Sequence, residues 1–375
     1  MIEGRATSEG TARYRGRFSE TLAADHFQNK LGLWLSSVGL GTYLGEADSE
    51  DDLAYDQTAR AAFLAGCNVF DTAINYRFQR SERSLGAAIA ALVTEKKISR
   101  DEFVVATKGG FIPFDSNPPA DPRVWIDTTF LKSGIAKPSD IVAGCHCMTP
   151  AYLDHQFEAS RANLGLETID IYYVHNPETQ LEAVSRGEFL ARLQSAFELL
   201  ERKAREGKLG IYGIATWDGL RAAPADRGHL PLAEIVAAAE RAAVAVGSKT
   251  NHFGAVQLPL NLAMPEALLK PTQIAVGEPV PALAAAAHHG LIAMASASIL
   301  QGHLIQRMPA QLSEKIPGGR SLAQKAIQWV RSAPGLATAL VGMKSLRHLE
   351  ENLGLAAVPR MTADEFRAII TPRRA

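Results

Sequence analysis

Short apolar runs alternate regularly along this chain with longer stretches of helical periodicity. Runs that read as strands fall near residues 68–71, 103–107, 169–174, 209–215, 255–258, 291–295 and 338–341, and an earlier one, Ser37-Val38-Gly39-Leu40-Gly41-Thr42, is closed by glycines. Between them, helices are predicted near 81–95, 150–164, 188–206, 230–247, 279–289, 321–333 and 345–354. A further helix is signalled at both ends: Asp48-Ser49-Glu50-Asp51-Asp52 supplies a cap and an acidic first turn, the run continues to Ala65, and Gly66 stops it. Leu31 to Leu35 alternates with small residues and predicts an N-terminal hairpin ahead of the first strand.

Counting from Val38, the pattern gives eight βα units, the number an α/β chain needs to close a (β/α)8 TIM barrel. An open doubly wound sheet is the competing arrangement, but it places a Gly-rich phosphate loop after its first strand. Gly39-Leu40-Gly41-Thr42 lacks the third glycine. The expected organisation is an N-terminal arm over 1–30, flexible or packed on the barrel, a barrel over 31–360, and a C-terminal tail over 361–375. The longest irregular piece, from Gly109 to Met148, follows the third strand and reads as a long loop over the C-terminal face, a lid on the substrate side. A surface insertion without catalytic consequence is the plainer reading of the same segment.

Charge narrows the partners. The chain has 375 residues, with 39 basic against 40 acidic side chains, and no basic stripe of the kind that nucleic acid requires. Three cysteines are too few for a disulfide framework, which favours a reducing cytoplasm. Residues 1–30 have no basic start followed by an apolar run, so no signal peptide is expected. The longest apolar stretch, Val280 to Leu300, is broken by His288-His289-Gly290, so no membrane span is expected either. Cys145-His146-Cys147 invites a metal reading, but no second ligand pair lies at zinc-site spacing, and no metal is expected. The pattern specifies no oligomeric state.

The candidate chemistry lies at strand ends. Asp71, Tyr76, Lys108 and His175 sit at or just past the C-terminal ends of successive strands, which in a parallel barrel gather on one face. A tyrosine with pKa about 10 donates a proton poorly near neutrality. A cation such as Lys108 beside it would lower that pKa. A buried ammonium needs a carboxylate, which Asp71 can supply, and His175 can hydrogen-bond a substrate carbonyl. Such a set suits protonation of a developing alkoxide as hydride arrives, and hydride requires a nicotinamide cofactor. The partner expected is a small-molecule carbonyl or alcohol substrate.

Phe70-Asp71-Thr72-Ala73-Ile74-Asn75-Tyr76, followed by Ser81-Glu82-Arg83-Ser84-Leu85-Gly86-Ala87-Ala88, resembles the signature of the aldo-keto reductases, NAD(P)H-dependent (β/α)8 barrels. Ala106-Thr107-Lys108 is similar to that family's lysine strand and Tyr173-Val174-His175-Asn176-Pro177 to its histidine strand. The resemblance implies Tyr76 as general acid, Lys108 and Asp71 as its partners and His175 as the carbonyl-orienting residue. It also implies a cofactor site of Thr42, Asp71, Thr216, Gln257, Gly342, Lys344, His348 and Asn352. NADP is the cofactor implied, with NAD as the second option, because His348 stands where NADPH-using members often have arginine.

The chain departs from that family at three places. Ala215-Thr216 stands where Ser-Asn usually holds the nicotinamide amide, and Ser296-Ala297-Ser298 where Tyr-Ser-Pro usually supplies a stacking ring. Arg77-Phe78-Gln79-Arg80 replaces a Gly-containing turn; Arg77 and Arg80 either line the substrate mouth, where they could attract an anionic or polyhydroxylated substrate, or are exposed arginines that merely solubilise the loop. The departures leave room for two other functions, a nucleotide-binding sensor barrel with little turnover and a redox-neutral lyase on the same tyrosine.

Overall fold

The computed structural model describes residues 1–370. Its eight barrel strands are β1 (Val38–Gly41), β2 (Val69–Asp71), β3 (Val104–Gly109), β4 (Ile169–His175), β5 (Leu209–Ala215), β6 (Phe253–Pro259), β7 (Ile292–Ser296) and β8 (Leu336–Gly342). All neighbours pair in parallel, and the sheet closes with β8 beside β1 and β7 beside β6. Helices follow the strands as the pattern predicts, for example Ser49–Leu64, Arg80–Thr94, Pro150–Leu164 and Arg186–Arg205. Asp48 caps the first of these by accepting from the Asp51 N–H at 2.8 Å.

Strand periodicity decides what points inward. Val69, Val104, Ala106, Ile171, Tyr173 and Ala255 form the apolar cluster inside the barrel, whereas Phe70 and Val105 pack outward beneath the helices. Side chains two residues apart share a face. Asp71 continues from Val69, Lys108 from Ala106, His175 from Tyr173 and Gln257 from Ala255, so all four are aimed into the barrel at its C-terminal mouth. At Gly213 a Cβ would stand 1.8 Å from the Ala255 carbonyl oxygen, so only glycine lets β5 and β6 approach there.

Residues 1–30 pack against the N-terminal end of the barrel. A helix, Ser8–Gly16, holds Tyr14 fully buried, with its hydroxyl donating to the carbonyls of Phe63 at 2.5 Å and Cys67 at 3.1 Å. The hairpin pairs Phe27–Lys30 with Leu33–Ser36, turning through Leu31 and Gly32 at positive φ, and so begins before the predicted Leu31. Leu35 from this hairpin belongs to the interior cluster and plugs the barrel floor. The buried carboxylate of Asp170 gathers the Ala6 N–H at 2.8 Å, the Val105 N–H at 2.8 Å and the Arg100 guanidinium at 2.7 Å.

Two further segments depart from expectation. Residues 361–370, expected as part of a tail, contain the helix Ala363–Ile370, whose Phe366 stacks on Trp329 at 5.6 Å; residues 371–375 lie outside the described residues. The Gly109 to Met148 segment is partly helical (Pro122–Ile126 and Asp127–Leu131), and its Phe130, Ala136 and Cys147 form a small apolar cluster with Tyr152 of the following helix. Local apolar anchors such as Trp125 and Phe130 explain why it is ordered over the barrel. Among the described residues no helix is long and apolar enough to cross a membrane.

Asp170→Ala leaves Arg100 buried without its counter-charge and frees the Ala6 and Val105 amides. The expected loss is about 3–5 kcal/mol in unfolding free energy, measured by urea denaturation.

Candidate active site at the C-terminal mouth of the barrel

Lys108 is completely buried, and its ammonium has three partners: Asp71 Oδ2 at 2.7 Å, the Thr72 carbonyl at 2.8 Å and the Tyr76 hydroxyl at 3.3 Å. An ammonium carries three N–H donors, so all of them are used. The second carboxylate oxygen of Asp71 accepts from Gln257 Nε2 at 2.7 Å, a contact that crosses the mouth from β6 to β2. Tyr76 is delivered by the turn after β2, where its N–H donates to the Ala73 carbonyl at 3.0 Å. Its ring stands 6.0 Å from that of His175 and 5.0 Å from that of Tyr43, both edge-on. The Nδ1 of His175 is buried without a protein partner.

Burial works against the charge on Lys108, but Asp71 and Tyr76 outweigh it and hold its pKa above the ordinary value. Burial also dominates at Tyr76 and raises the phenol pKa, with the Lys108 charge offsetting only part of the effect. Lys108 thus lowers the phenol pKa as expected, but burial, with the Asp71 charge adding to it, outweighs the cation and leaves the net shift upward. Part of the Tyr76 ring still faces the open mouth, so water softens the effect of burial. Burial, followed by repulsion from the Lys108 ammonium, pushes His175 well below its ordinary pKa. Its imidazole is therefore neutral near pH 7, with one N–H to donate and one nitrogen to accept.

Asp71, Tyr76, His175 and Gln257 line one end of a cavity of about 530 Å³, with Lys108 buried behind them. Phe111, Asn176 and Trp217 wall the end near His175, while Gly41, Thr42, Leu340, Gly342 and the segment 296–301 line the trench that leads away from it. Thr42, Asp71, Gln257 and Gly342 are therefore brought together as the sequence predicts. Thr42 is tied down, its N–H and hydroxyl both donating to the Asp71 main-chain carbonyl, at 3.1 and 3.2 Å.

Thr216, Lys344, His348 and Asn352 stand outside the cavity lining. Thr216 is buried with its hydroxyl oxygen unpartnered, and Asn352 likewise keeps an unpartnered buried amide oxygen. Lys344 is already engaged, its ammonium 2.8 Å from one Asp51 oxygen and 3.0 Å from the other. His348 is exposed at the start of the helix Leu346–Leu353, with Arg347 3.1 Å from its ring.

Arg77 and Arg80 require a correction, because neither lines the mouth. The buried Arg77 turns beneath the neighbouring loop, donating to the Glu46 carbonyl at 2.7 Å and to Asp52 at 2.7 Å, and Arg80 reaches the same carboxylate at 2.5 Å. Arg77, Phe78 and Gln79 are three successive residues at positive φ, where glycine would be unstrained. Both ring nitrogens of His146 are committed to hydrogen bonds. Among the described residues no group of three or more His, Cys, Asp or Glu side chains is placed to hold a metal.

Sequence reasoning gave no site role to Tyr43, Asn75, Asn176 or Trp217, all of which line the cavity. A signal was present. Tyr43, Asn176 and Trp217 each directly follow a residue already singled out at a strand end, and Asn75 directly precedes Tyr76.

The family model for the Aldo/keto reductase family matches residues 37–235. This chain belongs to the aldo/keto reductase family. Among curated relatives, it is 32% identical over 166 residues to a D-threo-aldose 1-dehydrogenase from a Pseudomonas species, covering 44% of each chain. It is 38% identical over 84 residues to an L-galactose dehydrogenase from Arabidopsis thaliana, 21% of this chain and 24% of that one. An NADH-specific methylglyoxal reductase from Escherichia coli is 27% identical over 190 residues, 49% of each. The chain thus spans less than half the length of each of these relatives. Among solved structures, an aldo/keto reductase from Klebsiella pneumoniae in complex with NADP and acetate superposes with a TM-score of 0.59 at 20% identity, covering 92% of this chain and 94% of that one. A holo aldo-keto reductase from Bacillus halodurans gives 0.61 at 18% identity, covering 93% and 95%. At these identities the likeness is one of fold.

The raised phenol pKa is directly measurable in the free protein. At pH about 10, where an ordinary tyrosine is half ionised, Tyr76→Phe should remove less than half of one tyrosine's full phenolate absorbance. A loss of more than half would show that Lys108, not burial, dominates.

Proposed function

We propose that this aldo-keto reductase transfers hydride between a nicotinamide cofactor and a small carbonyl or alcohol substrate, with Tyr76 as the general acid or base. The observation that carries the reading is the continuous contact from Tyr76 to Lys108 to Asp71 to Gln257, with neutral His175 facing Tyr76 across the mouth. NADP is the proposed cofactor and NAD the second option; when bound, it supplies the hydride that no side chain can. The unpartnered Thr216 hydroxyl fits a role towards the nicotinamide amide, and the trench past Gly41 and Gly342 fits an extended ligand.

In the reduction direction, His175 donates its N–H to the substrate oxygen and orients it. As negative charge grows on that oxygen, Tyr76 gives up its proton. The phenolate left behind is stabilised by the Lys108 ammonium, which Asp71 keeps charged. Oxidation runs the same proton path backwards. The completeness of this proton-handling set supports turnover over a sensor role.

For the substrate, a hydroxylated aldehyde or reducing sugar is the class we favour. Phe111 and Trp217 offer apolar walls, while Asn176 and Asn75, whose amide oxygen is buried and unpartnered, offer hydrogen bonds to hydroxyls. Two of the relatives named above are sugar dehydrogenases, which supports the same class. The three cysteines are free thiols, which supports a cytoplasmic setting.

Tyr76→Phe and Lys108→Met should each lower kcat/KM by about 10²–10⁴-fold, while NADPH binding remains measurable by fluorescence quenching. A loss of only about tenfold, or about 1.4 kcal/mol, in both variants would remove Tyr76 from its role. At the far end of the trench, Asp51→Asn releases Lys344 from its counter-ion. The expected result is NADPH bound up to about fivefold more tightly, as befits a partly exposed ion pair worth no more than about 1 kcal/mol.

A further inference from the structure

Strand β3 ends at Gly109, which pairs with Val174, so the next carbonyl along β4, that of His175, has no strand partner on that side. On the other side the Asn176 N–H still donates to the Ala215 carbonyl, at 2.6 Å. The vacant position opposite is filled by His146, whose Nε2 lies 2.7 Å from the His175 main-chain oxygen. At Gly110, with φ +139°, a Cβ would lie 2.8 Å from that Nε2 and 3.0 Å from that oxygen, so the approach depends on glycine.

The direction of every proton in this chain of contacts is fixed. Arg192 Nη1 lies 2.8 Å from Gln180 Oε1, and a guanidinium can only donate. The Gln180 amide nitrogen therefore faces His146, at 2.9 Å from Nδ1, and Nδ1 must accept. The imidazole proton is left on Nε2, pointing at His175. His146 is completely buried, and burial pushes its pKa down to about 4, so the ring holds this neutral form near pH 7. Phe111 packs edge-on against both rings, 5.3 Å from His146 and 5.0 Å from His175.

We propose that His146 is a positioning residue for the reaction: it donates in place of the missing strand neighbour and, held in one tautomer by Gln180 and Arg192, fixes the backbone from which the His175 ring projects. The inference rests on the role given to His175 above. It gives the Cys145-His146-Cys147 segment a part in turnover without a metal.

Three variants test it, using a carbonyl substrate that wild type turns over from a panel of aldoses and 2-oxoaldehydes. His146→Phe keeps a ring but no donor, and should lower kcat by about 10- to 100-fold, the scale of a misplacement near 1 Å. NADPH affinity should stay near wild type, while the melting temperature falls by a few degrees because the Gln180 amide and the His175 carbonyl lose a partner. His146→Gln, which keeps an N–H donor, should recover most of the loss, a rescue that a purely space-filling role would not give. A folded His146→Phe with wild-type kcat overturns the proposal. If His146→Phe fails to fold, Gln180→Leu serves in its place: it should lower kcat at unchanged NADPH affinity, and unchanged kcat overturns the proposal. His175→Gln separates the two levels. Wild-type activity there removes the role of His175 itself, whereas a crippled His175→Gln beside a fully active His146→Phe removes only the positioning role.

Discussion

A fully buried ammonium governs this barrel. Moving a lysine charge from water into a protein interior costs several kcal/mol even after relaxation, and only close, well-directed partners offset that cost. Lys108 has such partners in Asp71, the Thr72 carbonyl and Tyr76. Satisfying the charge constrains the carboxylate, which constrains Gln257 on the opposite side of the mouth. It also holds the turn that carries Tyr76. The arrangement that stabilises the cation thus places Tyr76, the proposed acid, at the edge of the cavity, and folding and the proposed chemistry draw on the same contacts.

Much of this was legible in the chain because strand alternation is strict. Once Val69, Val104-Ala106 and Ile171-Tyr173 are read as strand interiors, Asp71, Lys108 and His175 must share their inward face. Helix ends were legible for a similar reason. Asp48 acts through its carboxylate on the Asp51 N–H three residues on, and Gly66 through its positive φ, so both signals are local in sequence. The first-strand glycines, the hairpin and the eight-fold alternation likewise depend on local signals.

What escaped the sequence depends on partners distant along the chain. Arg77 looked like a mouth residue, yet it is drawn inward by Asp52 and by the carbonyls of Glu46 and Asp48, none of which a local pattern marks. Lys344 looked like a free charge until Asp51, 293 residues earlier, was found beside it. The net Tyr76 pKa depends on how deeply the ring is buried, a tertiary quantity that outweighs the cation beside it. The N-terminal helix was missed because its stability comes from tertiary contacts such as those of Tyr14, not from a strong amphipathic pattern.

The turn after Tyr76 has a consequence for how the enzyme can vary. Arg77, Phe78 and Gln79 in left-handed conformations cost about 1–2 kcal/mol each, and something outside the turn must compensate. Asp52, which lies on the first helix of the barrel and is gripped by both Arg77 and Arg80, supplies that compensation. The seat of Tyr76 is thereby coupled to a carboxylate that lines no part of the cavity. A glycine-containing turn would need no such support, so in this chain Asp52 and the turn can change only together, and substitutions there are epistatic with one another rather than independent.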